Sequence, residues 1–170
     1  MKAILGDICY PKSDAIIIPA NAKGIMSRGV PERIIKDGLS SISKEAKQFA
    51  KDNKLKVGDC FSTGPGRLTR RGLKRIYHSV ITRLQNDFTS IYIINEAIDN
   101  ALSEVVQDKY ESVSICGIGI GWGCGNLDPK TIARITVEKC SKYSDRVDIK
   151  IIDSNEEFIK EFNNFSKETL

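Results

Sequence analysis

The chain has 170 residues, 41% of them hydrophobic and 28% charged, with 26 lysines and arginines against 22 aspartates and glutamates, a net charge of +4. This composition predicts one globular domain over residues 1–170 with a real core, and it excludes a disordered chain. The positive balance suits an anionic ligand but is too small to argue for nucleic acid on its own.

Residues 3–5 read as a short strand closed by Gly6-Asp7. After Asp14 comes the continuous apolar run Ala15-Ile16-Ile17-Ile18, which Pro19 is expected to break, leaving Asn21 in the loop beyond. A run without alternation predicts a strand buried on both faces, hence a sheet covered by helices. Val30, Ile34 and Ile35 space a short helix that Gly38 should stop, and residues 43–54 form a second with Ala46, Phe49 and Ala50 on one face. Residues 60–63 and 76–80 are strands joined by a basic connection. Ile94, Ala97, Ile98, Ala101, Leu102 and Val105 repeat at helical spacing through the longest helix, residues 90–108.

A strand, a glycine loop and a helix follow in residues 112–129. Val113 and Ile115 alternate with small or polar neighbours. Gly117, Gly119, Gly121, Gly123 and Gly125 come next, and Asp128-Pro129 carries the signature of a helix start. Glycines on alternate positions let backbone N–H groups converge on an anion, and a helix N-terminus can add its positive end, so this stretch is expected to bind phosphate. Residues 147–152 form a last strand, and Ser154 with Glu157 has capping-box spacing before a terminal helix. Strands alternating with helices predict an α/β fold, a three-layer α/β/α sandwich with a central mixed sheet.

In such sheets ligands sit beyond the carboxyl ends of the strands, and three informative loops fall there: Gly6-Asp7-Ile8, Pro19-Ala20-Asn21 and the glycine loop. Asp7 can accept hydrogen bonds from an amino group such as that of adenine, or bind its own turn. Asn21 can bind sugar hydroxyls or orient a water, or act as an ordinary turn asparagine. With the glycine loop they suggest a nucleotide bearing a diphosphate. The glycines fit G-x-G-x-x-G in no register, which disfavours a Rossmann dinucleotide site, and no P-loop sequence occurs.

Gly6-Asp7-Ile8, the run 14–21 ending in Asn21, Gly29-Val30, Ile76-Tyr77-His78-Ser79-Val80 and Ile118-Gly119-Ile120-Gly121-Trp122-Gly123 resemble, in order, the motifs of macrodomains, the ADP-ribose-binding family also known for Appr-1''-p processing. The resemblance implies that Asp7 holds the adenine amino group, that Ile8 lies along the base and that Asn21 is near the distal ribose. Gly29 and Val30 would cover the diphosphate from one side, and Gly119, Ile120, Gly121, Trp122 and Gly123 would wrap it from the other. Departures accompany it: Ile18 stands where the family commonly has Asn, and Met26-Ser27-Arg28 replaces a glycine run, so Arg28 meets phosphate as a charge. Pro31 stands where one hydrolytic branch has its catalytic Asp. Gly6 to Asp14 and Val80 to Arg83 are also similar to the terminal ADP-ribose protein glycohydrolases, but Arg83 stands where that branch uses a nucleophilic lysine, and a guanidinium stays protonated.

Three functions are therefore carried forward. The first is binding of ADP-ribose or a derivative through Asp7, Ile8, Asn21, Arg28, Gly29, Val30 and residues 119–124, with Trp122 either stacking on a sugar or base or filling the underside of the loop, and Cys124 in the loop. The second is hydrolysis of ADP-ribose esters or of an ADP-ribosylated protein, with a water held at Asn21 as the attacking group. The third is binding of nucleic acid or poly-ADP-ribose by Arg67, Arg70, Arg71, Lys74 and Arg75. No cofactor or metal is expected. His78, the only histidine, reads as a structural residue. Cys9, Cys60, Cys116, Cys124 and Cys140 form no C-x-x-C pair, no apolar run reaches the length of a membrane span, and the N-terminus is charged. A cytoplasmic protein without a membrane anchor is the expectation.

Overall fold

The computed structural model describes residues 1–121 and 125–168. The six strands are β1 (Lys2–Leu5), β2 (Ala15–Asn21), β3 (Cys60–Thr63), β4 (Arg75–Thr82), β5 (Ser112–Ile115) and β6 (Asp148–Asp153). They form one sheet in the order β1-β6-β5-β2-β4-β3. Only β3 runs antiparallel to its neighbour, with Phe61 opposite His78, so the sheet is mixed as the sequence predicts. The helices are α1 (Gly29–Gly38), α2 (Ser40–Asn53), α3 (Ile91–Gln107), α4 (Pro129–Tyr143) and α5 (Glu156–Glu168), with a 3-10 turn at Gly66–Arg71.

Alternate residues of β4 show what covers each face of the sheet. His78 stacks on Phe61 with ring centroids 4.5 Å apart, and Phe61 stacks on Phe49 of α2 at 5.1 Å. On the other face the Tyr77 hydroxyl donates to Asp108 at the C-terminus of α3, 2.5 Å away. Helices thus lie on both faces. The apolar stripe read in α3 is fully buried, each large aliphatic side chain contributing about 1.5–3 kcal/mol. Helix α4 packs on α3 where Lys142 and Tyr143 both bond Asp99, and on α5 where Arg134 lies over Phe165. His78 is buried against Thr63, the structural role expected of it.

Two local expectations are corrected and a third, at Gly38, is sharpened. Pro19 does not end β2, which continues to Asn21. The pairing of β2 with β5 stops at Ile17–Ile115, so Pro19 lies where the strand has a single partner, β4, and its missing N–H breaks no ladder on the vacated side. Helix α1 ends at Gly38 as expected, but the positive φ falls on the next residue: Leu39, at φ 84° and ψ 158°, returns its N–H to the Ile35 carbonyl. Gly38 is small because a Cβ there would run into Ile42 and Leu68. The Ser154–Glu157 capping box is replaced by Asn155, whose Oδ1 accepts from the Phe158 amide at 2.9 Å.

Candidate functional site

The carboxyl ends of β1, β2, β4, β5 and β6 open into one cleft of about 1160 Å³. Its position follows from the parallel order: each strand ends at the same rim, and the loops leaving those ends form the walls. Of the residues singled out in the sequence, the cleft brings together Asp7, Ile8, Asn21, Arg28, Gly29, Val30, Ile120 and Gly121. Gly119 is buried and does not line it, while Trp122, Gly123 and Cys124 fall outside the described residues. Gly119 adopts φ +97°, and its carbonyl accepts the Leu127 amide at 2.9 Å, closing the loop at its neck. A Cβ at this position would stand 2.8 Å from Ile94 Cδ1, so the turn requires glycine on both counts.

Asp7 ends the β1 turn. Its Oδ1 accepts the Cys9 amide at 2.9 Å, and its Oδ2 pairs with the Arg33 guanidinium at 2.6 Å. Burial and the nearby carboxylate push the Cys9 thiol up to about 12, so it stays protonated. Asn21 is buried, at a shift in the β2–β4 register between Ala20 and Asn21. Its Oδ1 accepts the amides of Lys23 and Ile25, both at 3.1 Å, and its Nδ2 donates to the Ile25 carbonyl at 2.9 Å. The side chain therefore holds the 21–25 turn and keeps one Nδ2 hydrogen to offer.

The helix end that opens on the cleft is α1. Arg28 occupies its N-cap at φ −147° and provides no side-chain cap, so the first-turn amides lack a capping side chain. Arg28 donates instead to Asn86 at 3.1 Å, and Ser27 donates to Gln85 at 2.7 Å; the two contacts tie this loop to the one after β4. The start of α4, expected from sequence to offer its positive end, is already occupied. Asp128 Oδ2 accepts the Thr131 amide at 2.9 Å and its hydroxyl at 2.6 Å, and these bonds hold its carboxyl below the usual range.

Asp153 and Arg33 line the same cleft and carried no sequence signal. Asp153 accepts the Gly117 amide at 2.8 Å and the Asn155 amide at 2.7 Å, joining the ends of β5 and β6. Loss of hydration raises its carboxyl pKa. The basic segment is largely spent inside the fold. Arg71 bonds Asp37 at 2.8 Å and the Cys9 carbonyl at 2.7 Å, Lys74 bonds Asp14 at 2.7 Å, and Arg75 bonds Ser62 at 3.0 Å. Arg67 and Arg70 remain exposed. Among the described residues no cluster of three or more His, Cys, Asp or Glu could hold a metal, and no helix is long and apolar enough to cross a membrane.

A family model described as Macro domain matches residues 17–136. An uncharacterized protein of Aquifex aeolicus (strain VF5) is 28% identical over 162 residues, which cover 94% of this chain and 93% of that protein. Two solved structures share the fold. The macrodomain of Mycobacterium tuberculosis DarG superposes with a TM-score of 0.79 at 18% identity, covering 91% of this chain and 97% of its own. A variant of the Oceanobacillus iheyensis macrodomain with ADPR reaches 0.85, also at 18% identity, covering 98% and 91%.

Proposed function

The chain belongs to the Macro domain family, and on that premise we propose that its cleft binds ADP-ribose or an ADP-ribose derivative. The observation that supports the proposal is that one cleft is lined both by the N-terminus of α1, which no side chain caps, with Arg28, and by the loop through Ile120 and Gly121. The diphosphate lies between them. The adenine sits at Asp7 and Ile8, and the distal ribose lies near Asn21. The ligand reported with the Oceanobacillus iheyensis neighbour supports the choice of nucleotide.

Binding stands ahead of hydrolysis. Asn21 has one donor hydrogen to offer an attacking water, and its oxygen already accepts two amides, so the proton would have to go to the substrate phosphate. Pro31 and Arg83 supply neither the carboxylate nor the amine that related hydrolytic branches place there. Nucleic-acid binding through the basic segment stands lower still, because Arg71, Lys74 and Arg75 already have partners. Cys9, Cys60 and Cys140 form no disulfide, which fits a reducing, cytoplasmic setting.

Calorimetric titration with ADP-ribose, AMP and a short RNA tests the proposal. ADP-ribose should bind about tenfold or more tightly than AMP, because only it fills both walls. Tight RNA binding with a steep salt dependence and no heat from ADP-ribose would overturn it.

A further inference from the structure

Strands β2 and β4 are neighbours, so the loops that leave their carboxyl ends run side by side at the rim of the cleft. Two bonds tie these loops together. Ser27 Oγ donates to Gln85 Oε1 at 2.7 Å, and Arg28 Nη1 donates to Asn86 Oδ1 at 3.1 Å. Each bond joins a residue that lines the cleft, Gln85 or Arg28, to one that does not, Ser27 or Asn86. The turn that carries Gln85 and Asn86 is closed on itself. Asp87 Oδ2 accepts the Leu84 amide at 3.1 Å, and the Asp87 amide donates to the Leu84 carbonyl at 3.3 Å. Asn86 sits at φ +68°, a conformation that asparagine tolerates better than most residues.

What these ties leave over is hydrogen-bond donors. With Oε1 engaged by Ser27, the Gln85 amide is oriented, and its Nε2 donates to nothing among the described residues. Arg28 gives Asn86 only one of the five N–H donors of its guanidinium. Unspent donors thus stand on two adjoining loops beside the N-terminus of α1, and they complement a ligand group rich in acceptor oxygens and negative charge. We propose that the turn 84–87 is part of the diphosphate site. Gln85 Nε2 donates to a phosphate oxygen beside Arg28, and Ser27 and Asn86 are positioning residues that hold the two donors ready before the ligand arrives. The inference rests on the proposed binding of ADP-ribose and adds Gln85 to the residues that touch it.

The test is a pair of double-mutant cycles, Ser27→Ala with Gln85→Met and Asn86→Gly with Arg28→Ala, each titrated with ADP-ribose. Glycine at 86 keeps the φ of the turn and removes the acceptor. Gln85→Met should weaken ADP-ribose about fivefold, the scale of one hydrogen bond. Ser27→Ala and Asn86→Gly should each weaken it about twofold, since they loosen a donor without removing it. Neither should add a further loss once its partner, Gln85 or Arg28, has been replaced. Three outcomes each overturn the inference: wild-type affinity in Gln85→Met, a loss in Ser27→Ala as large as that in Gln85→Met, or losses that add in full. The second of these would reduce the Ser27–Gln85 bond to a brace between loops. If Asn86→Gly does not fold, the Ser27–Gln85 cycle decides. No binding of ADP-ribose by wild type defeats the proposed function itself, an outcome distinct from the rest.

Discussion

The Asp153 carboxylate accepts the Gly117 amide at 2.8 Å, so the last residue of β6 fixes the start of the glycine loop that follows β5. The same side chain takes the Asn155 amide at 2.7 Å and thereby also sets the entry to α5. Asp153→Asn keeps the shape but turns an acceptor into a donor facing an N–H. It should lower stability by about 2 kcal/mol, as expected for a lost bond to a charged acceptor. Urea unfolding at neutral pH measures the loss. A midpoint equal to that of wild type would show that the bridge contributes nothing.

His78 gives the protein a pH dependence of predictable sign. Burial between the sheet and α2 pulls its pKa down from 6.5 to about 3, so the folded state keeps it neutral while the unfolded chain protonates it. Between those values the unfolded state binds more protons, and stability falls as pH falls. From pH 7 to pH 5 the loss is about 2 kcal/mol from this residue. No other histidine is present to blur the window. Urea midpoints at the two pH values should show the slope in wild type and lose most of it in His78→Gln.

Arg28 should matter to the ligand and hardly at all to the fold, since its side-chain contact is an exposed bond to Asn86. Arg28→Ala should weaken ADP-ribose by about tenfold, the scale of one charge-assisted hydrogen bond, and leave adenosine unchanged. The melting temperature should move by no more than about 2 °C. Equal losses for adenosine and ADP-ribose would remove Arg28 from the phosphate side.

Gly119→Ala puts a side chain at φ +97° against Ile94 Cδ1. The strain should cost about 1–3 kcal/mol and shift the loop neck closed by Leu127. ADP-ribose affinity should fall more than affinity for adenosine, as read by calorimetry at a temperature where the variant remains folded. Wild-type affinity for both would detach this turn from the site.

What the sequence made legible was local. The helical stripe of α3, the buried run of β2, the Asp128-Pro129 start of α4 and the structural histidine each follow from neighbours within a turn or two. What it hid depends on partners brought from elsewhere. Pro19 is harmless only because β5 stops pairing at Ile17, which no property of residues 15–21 reveals. Arg71 and Lys74 look like a free basic run until Asp37 and Asp14 arrive beside them. Arg33 and Asp153 are an ordinary helix arginine and an ordinary strand-end aspartate until the sheet order places both at one rim. For the same reason the start of α4 was expected to offer its positive end: Asp128 caps it, whereas α1 has no side-chain cap and carries Glu32 in its first turn.

The pairing of β1 with β6 sets Lys2 opposite Lys150 and Leu5 opposite Asp153. The Asp7 end of the cleft is therefore assembled from segments far apart in sequence, whereas the β2–β4 half joins segments much nearer to each other. During synthesis the inner half can form while β6 is still unmade, and β1 has to wait for it. A chain that has not yet made β6 would thus own the wall at α1 but not the rim where β1 and β6 meet, and a ligand that spans both, added during refolding, would draw the equilibrium toward the step that joins β1 to β6.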